Sequence, residues 1–184
     1  MSVCLTPAMA ASVRSGGSHP RGLGPASRQT YAHPSTAAWS SVLRMERTWD
    51  GLPVAPEKPF ASCVVVWRDG TRGREYLLLH RHHEGPEYEG DWAWTPPSGA
   101  RQPRETPDEA AGRELLEETG LTLPLERLES PNDEVALYVA RAPSDAQIVL
   151  DVEHDRFEWL PRDEAVGRCL PARVGACITR AAAR

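Results

Sequence analysis

Residues 99–121 read GARQPRETPDEAAGRELLEETGL and carry both the start and the stop of one helix. Thr106-Pro107-Asp108-Glu109 has the form of a capping box with proline at the first helical position. The Thr106 hydroxyl can accept from a first-turn N–H while Glu109 reaches back. Asp108 and Glu109 also suit the positive end of the helix dipole. Alanines and leucines then carry the helix to about Thr119, and Gly120 supplies the left-handed residue that ends it. On that helix Glu114, Glu117 and Glu118 stand at i, i+3 and i+4 and share a face, with Ala111 and Leu115 on a neighbouring face that can be buried. Like charges at this spacing cost roughly 0.2–0.5 kcal/mol per pair, so the cluster calls for something to offset it. Clustered hard oxygen donors suit Mg²⁺ or Mn²⁺. The plainer reading is a solvated acidic face, with Arg113 and Glu117 as an ordinary i, i+4 pair.

The spacing runs from Gly99 to Glu105, then to Arg113-Glu114-Leu115-x-Glu117-Glu118-x-Gly120-Leu121. It resembles the Nudix box at every fixed position, and a pattern this long is specific where a three-residue motif is not. The resemblance implies an α/β fold, an α/β/α sandwich with a mixed sheet on which the box forms a loop–helix–loop. It also implies a Mg²⁺- or Mn²⁺-dependent hydrolase of nucleoside diphosphates linked to another group. Carried over by position, Glu117 and Glu118 are the main metal ligands, Glu114 is a further one, and the Gly99 carbonyl can add another. Arg113 pairs with Glu105 and holds the helix against its preceding loop, a supporting role that sets ligand geometry. Glu118 is one candidate general base. Many family members have glycine just before the residue matching Glu105; this chain has Arg104, which is either a loop arginine or a phosphate contact.

Two flanking segments extend the resemblance. Trp94-Thr95-Pro96-Pro97-Ser98-Gly99 is similar to the approach to the box in asymmetric diadenosine tetraphosphate hydrolases, which usually continue Lys-Gly-His where this chain has Ser98-Gly99-Ala100. Trp92 and Trp94 alternate, so one is expected in the core and the other beside substrate; Trp94 is taken as the substrate contact. Glu153-His154, followed by Trp159, is similar to a segment in the same hydrolases whose glutamate approaches the metals from a loop opposite the box. Glu153 is therefore a fourth carboxylate, as ligand or alternative base. Tyr138 faces either the nucleotide or the core.

The remaining chain sets the frame. Its 184 residues are expected to form a Nudix domain over 60–184, a leader over 45–59 and an N-terminal extension over 1–44 that has no Asp, Glu or Lys. That extension reads as disordered, as a transit peptide, or as sequence upstream of a start at Met45. Residues 61–67 and 75–80 read as a hairpin with a longer loop, followed by a polar loop with His82 and His83. Residues 134–141 and 147–151 are strand-like, and two short helices follow, opening at Pro161 and Pro171. A net charge of −5 argues against a general nucleic-acid binder. Cys4, Cys63, Cys169 and Cys177 have no metal-site spacing and read as reduced cytoplasmic thiols. No run approaches the roughly 20 apolar residues of a membrane span.

The function expected from these residues is hydrolysis of a phosphoanhydride in a nucleoside or dinucleoside polyphosphate by a monomer or homodimer. Within the enzyme class, the alternatives are an ADP-ribose or nucleotide-sugar pyrophosphatase and a sanitiser of oxidised nucleotides. Outside it, the alternative is a Nudix module that senses a nucleotide without cleaving it.

Overall fold

The computed structural model describes residues 47–48, 51–82 and 84–184. The readings of residues 1–44, Met45, Cys4 and His83 lie outside these residues.

The sheet grows from two apolar runs. Strand β1 (Ala61–Gly70) and strand β2 (Gly73–Arg81) form an antiparallel hairpin that pairs Trp67 with Tyr76 and Gly70 with Gly73. The connection is Thr71-Arg72 alone, shorter than the expected loop, because pairing continues past Asp69. Gly73 at φ +96° lets so tight a turn close. Beyond Trp67 and Tyr76 the two strands separate. Strand β3 (Trp94–Thr95) pairs with β2 at Leu79 and His80, and strand β4 (Ser98–Ala100) pairs with β1 at Ala61–Cys63. The approach to the box therefore fills a wedge between the two strands of the hairpin.

Strand β5 (Glu126–Leu128) and strand β6 (Val135–Arg141) extend the other side of β1, with β6 parallel to it. Strand β7 (His154–Pro161) runs antiparallel to β2 on its outer edge. The sheet is thus mixed. Residues 147–151 form no strand. Ile148 and Leu150 pack inward while Val149 N–H bonds the Thr119 carbonyl, so the alternation is met by a loop over a helix end rather than by a ladder.

Both faces are covered, which explains the continuous apolar strands. Val64, Val66, Leu77, Leu79 and Tyr138 face one side, against Ala111 and Leu115 of helix α1 (Pro107–Thr119). Cys63, Val65, Tyr76, Leu78 and Leu137 face the other. There they meet helices α2 (Arg162–Arg168) and α3 (Ala172–Ala182) through Ala165, Val174 and Ile178. The result is the expected α/β/α sandwich.

Helix α1 is bounded as its sequence implies. Thr106 Oγ1 accepts from Glu109 N–H at 3.2 Å, Glu109 Oε2 accepts from Thr106 N–H at 2.8 Å, and Gly120 closes the helix at φ +71°. The loop before it contains Arg104 at φ +71°. An arginine here occupies the left-handed region, which costs a non-glycine residue about 1–2 kcal/mol. Because Arg104 is exposed, Arg104→Gly is expected to raise stability by about 0.5–1 kcal/mol, the strain relief exceeding the added chain entropy. Chemical denaturation of the two proteins measures this. A loss of stability would mean that the arginine side chain holds the loop.

Candidate active site

Helix α1 stands over the wedge in the sheet and turns its acidic face into it. Ser62 Oγ donates to the Pro107 carbonyl at 2.9 Å and the Tyr138 hydroxyl donates to Asp108, so two strands hold the start of the helix. Glu114 and Glu118 are then buried, while the Glu117 side chain is 56% exposed. Glu118 Oε2 accepts from the Ser98 backbone N–H at 2.9 Å. Burial pushes the Glu118 carboxyl well above the usual carboxylate range, against the opposing charge of Arg81. Burial also raises Glu114, against Arg113.

Close approach at Gly99 is what admits Glu114. A Cβ at that position would lie 2.2 Å from Glu114 Oε1. The glycine leaves room for this carboxylate, which a larger residue would displace, and its backbone angles do not call for glycine.

Arg113 organises the rest. Its Nε and one terminal nitrogen donate to the two Glu105 oxygens at 2.7 and 3.0 Å, and that same terminal nitrogen donates to the Ala100 carbonyl at 3.0 Å. The other terminal nitrogen donates to Glu114 Oε1 at 2.7 Å and to Glu117 Oε2 at 3.0 Å. Burial works against the Glu105 anion, yet the Arg113 bonds and the Gln102 N–H leave its carboxyl below the usual range. A guanidinium suits this task, since it presents several donors in a fixed plane.

A cleft of about 390 Å³ opens over this face. Five carboxylates line it (Glu114, Glu117, Glu118, Asp151 and Glu153) together with Arg81 and Arg113. Among the residues expected to act, Gly99, Arg113, Glu114, Glu117, Glu118 and Glu153 meet there, and Glu105 supports Arg113 from behind. Three others stand apart from the lining. Trp94 is buried in the core, its indole N–H bonded to Glu89 Oε2 at 2.6 Å. Tyr138 is buried beneath α1, and Arg104 is an exposed loop residue. The tryptophan that lines the cleft is Trp92. The expected alternation fails because Trp92, at φ +68°, precedes the strand instead of lying in it.

The structure adds residues that the spacing did not single out. A β-bulge interrupts the β2–β7 ladder, so that Arg81 pairs with His154 and Asp155 is passed over. Bulges re-aim side chains at sheet edges, and this one brings His154 to the α1 side, where Arg81 already lies by alternation with Leu77 and Leu79. His154 is 5% exposed. Its Nδ1 donates to Asp151 Oδ1 at 2.8 Å, and its partnerless Nε2 lies 4.0 Å from Glu118 Oε1. Burial holds this imidazole below its ordinary value, against the Asp151 hydrogen bond. The Arg81 Nε is likewise buried without a partner. Only the position of His154 beside Glu153 hinted at its role.

The donors fit a hard divalent cation. They are carboxylates, two of them are buried, and their burial disfavours the anionic form unless a cation is near. Among the described residues, no three Asp, Glu, His or Cys side chains stand at coordination spacing. Arg113 draws Glu114 and Glu117 to itself, and Ser98 holds Glu118.

Comparison with known proteins agrees with this architecture. The family model described as NUDIX domain matches residues 57–176. A C. elegans Ap4A hydrolase, solved as a binary complex, is 25% identical with a TM-score of 0.55, covering 67% of this chain and 94% of that one. The NUDIX domain of Shewanella oneidensis NrtR, complexed with ADP ribose, shares the fold at 19% identity and a TM-score of 0.54, covering 70% of this chain and 88% of that one. An octanoyltransferase of Myxococcus xanthus is 34% identical over 125 residues, 61% of this chain and 33% of that protein. The chain thus spans about a third of the length of that curated relative. With the family match running through both strands of the hairpin, the box and the last strand, the chain belongs to the NUDIX domain family.

Proposed function

We propose that this chain is a divalent-metal-dependent hydrolase of a phosphoanhydride in a nucleoside or dinucleoside polyphosphate. The observation that carries the reading is the cleft's charge pattern: five carboxylates, two of them on buried turns of α1, face two arginines. A bare polyphosphate is repelled by such a surface. A polyphosphate that arrives with divalent cations meets it favourably, so the pattern selects the metal complex of an anion over the anion itself.

Glu114, Glu117, Glu118 and Glu153 would hold the metal, with the Gly99 carbonyl beside them. The cation, when bound, neutralises phosphate charge and lowers the pKa of a neighbouring water. The chain's own groups do the rest. Arg81 presents its guanidinium to the phosphate oxygens. Glu118 or Glu153 accepts the proton of the attacking water. His154, its Nδ1–H fixed by Asp151, holds an Nε2 lone pair toward Glu118 and limits the positions that carboxylate can take. Arg113 keeps Glu105, Glu114 and Glu117 in register and stays off the substrate. The similarity to the C. elegans Ap4A hydrolase supports a dinucleoside polyphosphate as the first substrate to test. The retained carboxylates favour turnover over sensing alone.

The deciding assay is phosphate release, with Mg²⁺ or Mn²⁺, from diadenosine tetraphosphate, ADP-ribose, a nucleotide sugar, the dNTPs and 8-oxo-dGTP. One substrate is expected at kcat/KM of about 10⁴ M⁻¹s⁻¹ or above. Binding without turnover across the panel would move the chain to the sensor class.

Two substitutions test the roles. Glu118→Gln is expected to lower kcat by at least about 100-fold with the fold retained, as for loss of a general base or a ligand; wild-type turnover in this variant removes Glu118 from the chemistry. Arg113→Lys keeps the charge and loses the two-point bond to Glu105. It is expected to lose about 1–3 kcal/mol of stability and activity with it. An unchanged melt and rate would mean that the charge alone suffices.

A further inference from the structure

The lining of the cleft has a second, apolar set, formed by Leu52, Pro53 and Val54 of the leader and Phe60 just after it, together with Trp92. The leader is a built structure. Thr48 N–H donates to the Leu52 carbonyl at 2.7 Å, Leu52 N–H returns to Thr48 Oγ1 at 2.9 Å, and Gly51 takes the positive φ of the turn at +86°. Arg101 then fastens the segment to the box. Its side chain is nearly fully buried and donates to the Pro59 carbonyl at 2.8 Å, the Glu57 carbonyl, Glu57 Oε1 at 3.0 Å and the Glu105 carbonyl at 2.7 Å. Its backbone carbonyl accepts from Ala55 at 2.7 Å. The arginine that ties down the leader therefore also ties down the loop carrying Glu105, and the two walls of the cleft are fixed relative to each other.

Two features point to an occupant. Trp92 sits at φ +68° in the left-handed region, held by its N–H to the Leu170 carbonyl at 2.5 Å, with the Arg173 guanidinium 4.9 Å from its ring centroid. Strain of this kind in a cleft accompanies positioning of a side chain for a ligand. Leu52 keeps 48% of its surface exposed although it is apolar and lines the cleft. Beside them stands the Gln102 amide, which offers both donors and an acceptor. An alkyl chain would strand that amide; a flat heterocycle with polar edges would satisfy it.

We propose that the leader wall receives the nucleobase, with Leu52, Phe60 and Trp92 covering its faces and Gln102 reading its edge. The leader, not the box, then sets which nucleotide is held. This rests on the polyphosphate reading of the same cleft.

The test uses the full chain with Mg²⁺ and calorimetry, so that it does not depend on turnover. The probes are the α,β-methylene analogues of ADP, GDP, CDP and UDP, with base-free methylenediphosphonate as the reference. Leu52→Ser is expected to weaken the nucleotide analogues about three- to tenfold, the worth of burying the exposed half of a leucine, while methylenediphosphonate binds as before. Gln102→Leu is expected to change the ranking of the four bases. The assignment is overturned if wild type binds the nucleotide analogues no better than methylenediphosphonate. It is equally overturned if Leu52→Ser weakens both probes alike or neither, or if the ranking survives Gln102→Leu. The binding pattern without hydrolysis of any substrate refutes the enzymatic reading alone; hydrolysis without the pattern refutes the leader wall alone.

Discussion

Arg113 is the point at which local and non-local structure meet. One guanidinium bonds the loop before the helix through Glu105, the end of β4 through the Ala100 carbonyl, and the acidic face of the helix through Glu114 and Glu117. The carboxylates it organises repel one another, and Glu114 among them is buried, where an uncompensated charge is costly. A single fixed cation lowers that cost and also sets the spacing of the oxygens. A lysine in its place would neutralise charge without fixing a plane. Glu105, which looks remote from the chemistry in sequence, is the counterweight that keeps Arg113 from collapsing fully onto Glu114 and Glu117.

The sheet supplies the place where this can happen. β1 and β2 start as an ordinary hairpin and separate after Trp67 and Tyr76, and the approach to the box enters the gap through β3 and β4. A gap filled by short strands with a glycine at Gly99 lets the Glu114 carboxylate come close to the backbone in its present position. On the opposite side, the bulge in the β2–β7 ladder turns His154 toward the same helix, beside Arg81. The acidic face and its basic counterpart therefore come from two irregularities in one sheet, and both interrupt regular pairing for the sake of side-chain direction.

What was legible in the sequence follows from range. The capping box, the left-handed glycine and the shared face of Glu114, Glu117 and Glu118 depend on residues within two turns of one another, and the structure holds them as expected. The buried strands were legible because continuous apolar runs admit few alternatives. Two expectations broke where distant partners decide. Residues 147–151 alternate like a strand but find a helix end rather than a sheet edge. Trp92 and Trp94 alternate in sequence, yet only Trp94 is in a strand, so the core takes Trp94 and the cleft takes Trp92. Arg104, open in the sequence between a loop arginine and a phosphate contact, is an exposed loop residue at φ +71°, and the bonds of Arg101 and Arg113 on either side hold its loop.

The same distinction of range separates catalysis from recognition. An anhydride presents the same phosphates in every substrate, so most of the carboxylates that face it can be written into one contiguous stretch and be found there, with Arg81 and Glu153 joining them from β2 and the loop before β7. The group that differs among substrates must be met by surfaces free to differ, and these come from far apart in sequence: the leader and Trp92. Such surfaces are useful only if they are rigid relative to the carboxylates, since a base bound on a loose wall would not place its phosphates. Arg101 meets this requirement. It is buried between the leader and the Glu105 loop and spends its donors on backbone carbonyls of both. A side chain bonded in that way cannot read substrate. Its contribution is to make the variable wall and the constant one a single body, so that what the leader selects is presented to the carboxylates of α1 in register.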